Sequence, residues 1–153
     1  MRMRFSMKTE YGVRAIMELA ALDGRAALQS GEIARRQRIP GPFLDQVLMT
    51  LRRSGFVRSV RGPHGGHLLA RPAGEIRLDE VIACLEGSGT EPAPGGDGAQ
   101  TYGLVLQRVT RDAEQAAKEV FAAHTLSDLL RLQAAGPPVF HGIFKPLPSR
   151  ARR

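Results

Sequence analysis

Two neighbouring segments carry side chains of the kinds that contact nucleic acid. The candidate contact residues of the first segment, residues 41–54, are Phe43, Asp45, Gln46 and Thr50, followed by Arg52 and Arg53. A carboxylate such as Asp45 can accept a hydrogen bond from a cytosine amino group, and an amide such as Gln46 can pair with adenine. The two arginines suit phosphate oxygens, which position a protein on DNA without reporting its sequence.

The second segment is the loop RGPHGG at residues 61–66. Arg61 could enter a minor groove, where narrow A·T tracts attract arginine, and His64 could contact phosphate. The glycines that would let the backbone approach DNA closely are Gly62, Gly65 and Gly66. The H-x-x-H spacing of His64 and His67 could also suggest a metal, but two ligands on a hairpin do not make a closed site without partners.

Three predicted helices position the first segment. Apolar residues recur at three- and four-residue steps over 7–22, which is typical of an amphipathic helix. Ser30 is predicted to be the N-cap of a second, short helix that extends through Arg38. Pro42 suits the first turn of a third helix that ends near Ser54. Because only the turn IPGP separates the second and third helices, the pattern predicts a helix-turn-helix.

The pattern becomes β-rich after the third helix. Two short runs, 56–60 and 67–70, flank the glycine-rich loop and predict a hairpin, to which Leu28 could add a brief strand. A helix-turn-helix followed by a hairpin is the winged-helix arrangement, in which the second helix of the pair lies in the major groove. We therefore predict a mainly α fold with a small β-hairpin wing.

A longer helix is predicted at 102–124, after a short helix at 78–86. Its narrow apolar seam consists of Val105, Val109, Ala113, Ala116 and Val120. Small residues let two helices approach closely, so the seam favours a dimer interface. The alternative is an intramolecular core, although a winged-helix head has little surface left to cover so long a helix. Thr125 begins a capping-box pattern for a last short helix that ends near Ala135.

These elements predict four parts along the chain. Residues 1–72 form a winged helix-turn-helix domain, called the head below. Residues 73–100 form a connector with a short helix and a flexible loop of the sequence SGTEPAPGGDGAQ. Residues 101–136 contain the dimerisation helix and the terminal short helix. Residues 137–153 form a basic tail that is expected to be flexible.

The charge distribution favours a polyanionic partner. The net charge is +7, and residues 31–72 hold eight arginines against two acidic residues, which gives +6 for this stretch alone. Such an excess suggests nucleic acid first and an anionic membrane second. A solvated basic surface without a partner is the alternative.

Several other classes of protein are excluded or unsupported. The longest apolar run has five residues, whereas a membrane span needs about twenty, and no apolar stretch follows the basic N-terminus as in a secretory signal. We find no G-x-S-x-G, P-loop or H-E-x-x-H motif, so we do not expect an enzyme. The chain has one cysteine, Cys84, which cannot form an intramolecular disulfide, and a reducing cytoplasm is the expected compartment.

The sequence also resembles a known family. The stretch IPGPFLDQVLMTLRRSGFV followed by SVRGPHGGHLLARP is similar to the Rrf-type family of bacterial winged-helix transcriptional regulators, which includes IscR, NsrR and CymR. The opening MKTEYGVRAIMELA and the segment IRLDEVIACLEG match the family's first helix and its connector. The resemblance covers about residues 5–135, and the RGPxGG wing is its most specific part.

The resemblance implies a homodimer that binds a pseudo-palindromic operator. Arg61 matches the family's wing arginine, and Phe43, Asp45 and Gln46 match its Tyr-Leu-Glu-Gln recognition segment. This chain departs from that segment twice, since Phe43 lacks the hydroxyl group and Asp45 is one methylene shorter than glutamate. Operator preference is therefore expected to differ.

The sharpest departure from the family concerns the cofactor. Cluster-binding members carry three cysteines in the loop before the dimer helix, whereas residues 88–100 contain none, and Tyr102 stands in place of the cluster histidine. We expect no cofactor, because an iron–sulfur cluster held in this way has no thiolates here. The signal could then be a small molecule or partner protein in the cleft between the head and the dimer helix, the Cys84 thiol, or none. Cys84 could equally be a small apolar filler.

Taken together, these features predict a cytoplasmic, homodimeric, sequence-specific transcriptional regulator that acts as a repressor on double-stranded DNA. The alternative is an architectural or protein-interaction winged-helix protein with weak sequence specificity. The ratio of specific to non-specific DNA affinity distinguishes the two functions.

Overall fold

The computed structural model describes residues 3–87 and 100–136. In these residues the elements follow in the order α1 (Met7–Leu22), α2 (Ser30–Gln37), α3 (Gly41–Arg53), β1 (Val57–Val60), β2 (Gly66–Leu69), a 3-10 turn (Ala73–Glu75), α4 (Leu78–Glu86), α5 (Gln100–Ala122) and α6 (Leu126–Ala134). The predicted mainly α fold with a two-stranded wing is confirmed. The flexible loop predicted over 88–100 lies outside the described residues except at Gln100, where the prediction is wrong because α5 already begins there rather than at residue 102. The prediction of a flexible tail over 137–153 also lies outside the described residues.

The predicted start of α2 was wrong by one residue. Ser30 is its first helical residue and Gln29 is the N-cap, because the carbonyl of Gln29 already accepts the first helical hydrogen bonds from the amides of Glu32 and Ile33. The predicted bounds of α1 and α4 agree with the structure, and Pro42 lies in the first turn of α3 as predicted.

One hydrophobic core joins the head to the C-terminal helices. Its fully buried members come from five of the helices and from the segment before α4, and they include Ile16, Leu19, Ile33, Leu44, Leu51, Ile76, Val81, Leu85 and Leu126. Gly12 of α1 lies so close to Leu85 of α4 that an added Cβ would be 2.4 Å from a leucine methyl group. The head and the connector therefore share a single packed interior.

The wing is anchored to the loop between α1 and α2. β1 and β2 pair antiparallel, with Val57 opposite Leu69 and Val60 opposite Gly66. The predicted brief strand at Leu28 is confirmed as a bridge, since its amide donates to the His67 carbonyl at 3.0 Å and its carbonyl accepts from the His67 amide at 2.7 Å. The strands are therefore held on one side by backbone hydrogen bonds to the head.

The end of α5 is tied to the segment before α4. The amide of Leu78 donates to the carbonyl of His124 at 2.8 Å, and the amide of Leu126 donates to the carbonyl of Ile76 at 2.9 Å. These bonds draw the chain out of the helix, so α5 ends at Ala122 rather than at the predicted residue 124.

The predicted capping box at Thr125 is confirmed at the start of α6. The Thr125 hydroxyl accepts from the Asp128 amide, and the Asp128 carboxylate accepts from the Thr125 amide at 2.8 Å. The hydrogen bonds from the Thr125 amide and hydroxyl, together with one from Arg131, lower the pKa of Asp128 to about 2.

Candidate nucleic-acid interface

Helix α3 presents a mainly polar face to solvent and an apolar face to the core. Leu44, Val47, Leu48 and Leu51 are buried, and the exposed residues of the helix after its first turn are Asp45, Gln46, Met49, Arg52 and Arg53. The apolar face fixes the rotation of the helix about its own axis, because any other rotation would expose four aliphatic side chains. A hydrogen-bonding surface that fits the edges of base pairs is thereby held outward.

Two candidate residues on α3 are less exposed than we predicted. Phe43 is half-buried because its ring packs edge-on against Tyr11, with the ring centroids 5.4 Å apart. Thr50 is also half-buried, and its hydroxyl donates to the carbonyl of Gln46 at 3.0 Å. Both side chains therefore have partners within the head, whereas Asp45 and Gln46 are exposed as predicted.

Met49 was missed by the sequence analysis. It lies at the centre of the exposed face of α3, with 42% of its surface accessible. The signal that could have found it is its spacing, since Met49 follows Asp45 by one turn and precedes Arg52 and Arg53 by one turn. An apolar side chain in this position suits contact with a thymine methyl group.

The wing loop exposes Arg61, Gly62, Pro63 and His64. Its last two glycines differ from our expectation, because the close approach that they permit is to the protein itself. Gly65 is buried, and a Cβ there would lie 2.3 Å from the carbonyl oxygen of Val60. At Gly66, whose φ is +142°, a Cβ would lie 2.4 Å from the carbonyl oxygen of Leu28. These glycines shape the wing rather than open it to DNA.

The basic residues of the head fall into two electrostatic groups. On α2, Glu32 binds both Arg35 and Arg36, at 2.8 and 2.7 Å, and these hydrogen bonds lower the pKa of Glu32, with Arg36 the larger cause. By contrast, Arg52, Arg53 and Arg61 form no ion pair with any side chain in the described residues. Positive charge without an ion-pair partner among the described residues therefore lies at the end of α3 and on the wing, as it also does at Arg38 after α2.

Cys84 lies where α4 meets the end of α3. Its side chain is partly buried, and Sγ lies 3.0 Å from the Ser54 hydroxyl oxygen and 3.9 Å from the Thr50 carbonyl oxygen. These partners suit a small packing residue with a weak S–H donor. The redox role stays a prediction.

The predicted seam of α5 is exposed. Val105, Val109 and Val120 are 58%, 58% and 42% accessible, and Ala113 and Ala116 are also exposed. The alternative of an intramolecular core is therefore wrong for the described residues, since none of them buries the seam. No helix in the parts of the chain that are described is long and apolar enough to cross a membrane.

One family model matches residues 5–132 of the chain. Its description is "Rrf2: Iron-dependent Transcriptional regulator". The matched residues contain every described element from α1 to the greater part of α6.

The donor set of this chain does not fit a thiolate-held iron group. Iron–sulfur clusters are held by several cysteine thiolates, with histidine in some members, whereas the whole chain contains one cysteine. That thiol is engaged with Ser54, and among the described residues no three His, Cys, Asp or Glu side chains meet as a metal site. The cysteine content of the chain therefore does not supply the thiolate ligands of such a cluster.

Individual relatives give the same family. IscR of Cereibacter sphaeroides is 32% identical over 154 residues, which span 94% of this chain and 97% of that protein. Among solved structures, T. potens IscR has a TM-score of 0.72 at 31% identity, covering 90% of this chain and 95% of that one. CymR, the global cysteine regulator of B. subtilis, has a TM-score of 0.68 at 29% identity, covering 84% and 96%. The chain belongs to the Rrf2 family, and it is a winged-helix, DNA-binding transcriptional regulator rather than an enzyme.

Proposed function

We propose that the protein is a sequence-specific repressor that binds a pseudo-palindromic operator as a homodimer in the bacterial cytoplasm. One observation supports DNA binding. Arg52, Arg53 and Arg61 are exposed and have no ion-pair partner among the described residues, and they lie beside the exposed Asp45 and Gln46. Asp45 and Gln46 contact base edges, Arg52 and Arg53 contact phosphate, and Arg61 enters the minor groove.

The homodimer is supported by the exposed seam of α5. A row of valines that are about half exposed is unusual on a monomer and marks a surface that another chain covers. Two copies crossing through Ala113 and Ala116 would bring their helices close, because the alanines leave room for the backbones. A two-fold dimer presents two copies of α3 to two half-sites, which accounts for a pseudo-palindromic operator.

A groove on the head is one candidate site for the signal, and the Cys84 thiol is another. A groove of about 410 Å³ lies between α1, the end of α2 and α6, and it is lined by Val13, Met17, Glu18, Leu129 and Gln133 among others. It combines apolar and polar side chains, as small-molecule sites do. A small molecule or a partner protein that binds there would touch both the head and α6.

Fluorescence anisotropy with two DNA duplexes tests the function. One duplex is the region upstream of the protein's own gene, and the other has the same length and composition in scrambled order, each at about 50 and about 200 mM salt. We expect a preference of about 10³-fold or more for the upstream region. Equal and steeply salt-dependent affinity for both duplexes would contradict a sequence-specific regulator and favour the architectural alternative.

Two variants test the assigned roles. Arg61→Ala should weaken binding more on A·T-rich duplexes than on others, with Arg131→Ala on α6 as the matched control. An equal loss on every sequence would assign Arg61 to phosphate alone. Val109→Asp should shift the mass measured by sedimentation equilibrium from dimer to monomer, and a variant that stays dimeric would contradict the α5 interface.

A further inference from the structure

A small notch lies between α3 and the wing, on the same side of the head as the proposed base contacts. It has a volume of about 140 Å³ and is lined by Asp45, Leu48, Met49 and Arg52 of α3 and by His67 of β2. DNA that meets α3 in one groove and the wing in the next must carry its backbone between the two elements. The notch is therefore at the place where a phosphodiester strand passes.

Within the lining of the notch, His67 is the residue that the wing contributes, and its position is fixed by the backbone. Its amide and carbonyl both bond to Leu28, and its Nδ1 lies 3.5 Å from the hydroxyl oxygen of Ser59 on β1. The imidazole is thus held at the boundary between the two DNA-contacting elements, with one edge toward α3.

The surroundings of His67 disfavour its charged form when no DNA is bound. Burial lowers the pKa of His67 below its ordinary value, the positive charge of Arg52 lowers it further, and the negative charge of Asp45 raises it. These two α3 side chains are the ionisable groups that act on the ring. β1 contributes the neutral Ser59, and the loop before α2 contributes the backbone amide and carbonyl of Leu28.

We propose that the notch is a binding site for a DNA phosphodiester group, in which His67 and Arg52 donate to the phosphate oxygens and His67 takes up a proton on binding. With a neutral imidazole, the charges of Asp45 and Arg52 cancel. With a protonated imidazole, the lining carries one net positive charge, which a phosphate favours. Because a bound phosphate stabilises the protonated ring, DNA binding is stronger at lower pH.

This inference rests on DNA binding by α3 and the wing, but it does not need operator preference. A phosphate contact does not report base sequence, so the pH effect appears on the scrambled duplex as well as on the upstream region. Anisotropy is measured on both duplexes at constant ionic strength, from about pH 8 to about pH 5.5, the range in which histidine titrates.

For the wild-type protein, we expect affinity for both duplexes to rise by up to about tenfold per protomer as pH falls, because a bound phosphate favours the protonated imidazole of His67. His67→Gln should lose the rise, whatever its affinity at about pH 8. His124→Gln, just after α5, is the matched control, because it removes a histidine outside the DNA-contacting elements and should retain the rise. A rise that persists in His67→Gln, or that disappears in His124→Gln, would overturn the proposal.

A second measurement does not depend on any variant. The imidazole resonances of the wild-type protein are followed against pH with and without the scrambled duplex. We expect the pKa of His67 to lie below its ordinary value in the free protein and to rise with DNA, and equal values in the two states would overturn the proposal. Absence of binding to either duplex would instead overturn the DNA-binding function itself, and the notch with it.

Discussion

Substitution of Gly66 by alanine should detach the wing from the head while leaving α3 in place. Gly66 has a φ of +142°, which side-chain-bearing residues rarely adopt, and its position leaves no room for a methyl group against the Leu28 carbonyl. The backbone must move to accommodate a Cβ. That movement strains or breaks the two hydrogen bonds between Leu28 and His67.

The expected cost combines backbone strain with lost hydrogen bonds. A side chain forced into this region of φ costs about 1 to 3 kcal/mol, and each lost backbone hydrogen bond costs about 1 kcal/mol net. The free energy of unfolding should therefore fall by about 3 to 5 kcal/mol. Gly24→Ala is the matched control, because Gly24 also has a positive φ, +79°, but nothing lies within 4 Å of its added Cβ. It should cost about 1 to 2 kcal/mol.

Urea denaturation measures both free energies, and anisotropy with the upstream duplex measures the consequence for binding. Gly66→Ala should bind the duplex more weakly than Gly24→Ala, because only the former displaces Arg61 and His67 relative to α3. If the two variants are equally stable and bind equally well, the close approach of Gly66 to Leu28 does not hold the wing, and the reasoning is refuted.

The packing and the electrostatics lead to three further expected outcomes. Gly12→Ala should lower the free energy of unfolding by about 1 to 3 kcal/mol, because its methyl group would overlap Leu85; thermal denaturation that matches the wild type would show that α4 shifts freely. Asp128→Asn should lower the melting temperature at neutral pH. The pKa of Asp128 is lowered to about 2 in the folded protein, so its carboxylate contributes stability above the unfolded-state pKa of about 3.9, and this contribution is lost as pH falls through about 2. A difference in melting temperature between the two proteins that persists below about pH 2 would contradict the assignment. If Cys84 is a thiol sensor, peroxide should weaken DNA binding by the wild type but not by Cys84→Ser, and an equal response of both proteins would remove that role.

The parts of the fold that could be predicted from the sequence are those that depend on residues close together along the chain. Helix bounds at α1 and α4 follow from apolar periodicity and from the Gly87 that ends α4, both of which act over a few residues. The end of α5 could not be predicted in the same way. It depends on hydrogen bonds from Leu78 and Leu126 that join segments more than forty residues apart along the chain, and no local pattern reports such a pairing.

The glycines of the wing show a similar limit. A loop of the type RGPHGG predicts a tight turn, and the turn is present, with the Gly65 amide donating to the Gly62 carbonyl at 2.9 Å. Which backbone a glycine approaches depends on the tertiary structure. Gly66 lies against Leu28, nearly forty residues earlier, so the sequence could indicate a close approach but not its partner.

On α3, the inclusion of Phe43 and the omission of Met49 could have been avoided from the sequence alone. At 100° per residue, the exposed residues Asp45, Gln46, Met49, Arg52 and Arg53 fall within about 120° of arc, and Met49 is near its centre. The opposite arc holds the four buried aliphatic residues, so the rotation of α3 was already determined by the sequence. Phe43 lies outside the exposed arc and packs on Tyr11. The list of contact residues therefore included Phe43, which lies outside the exposed arc, and omitted Met49, which lies at its centre.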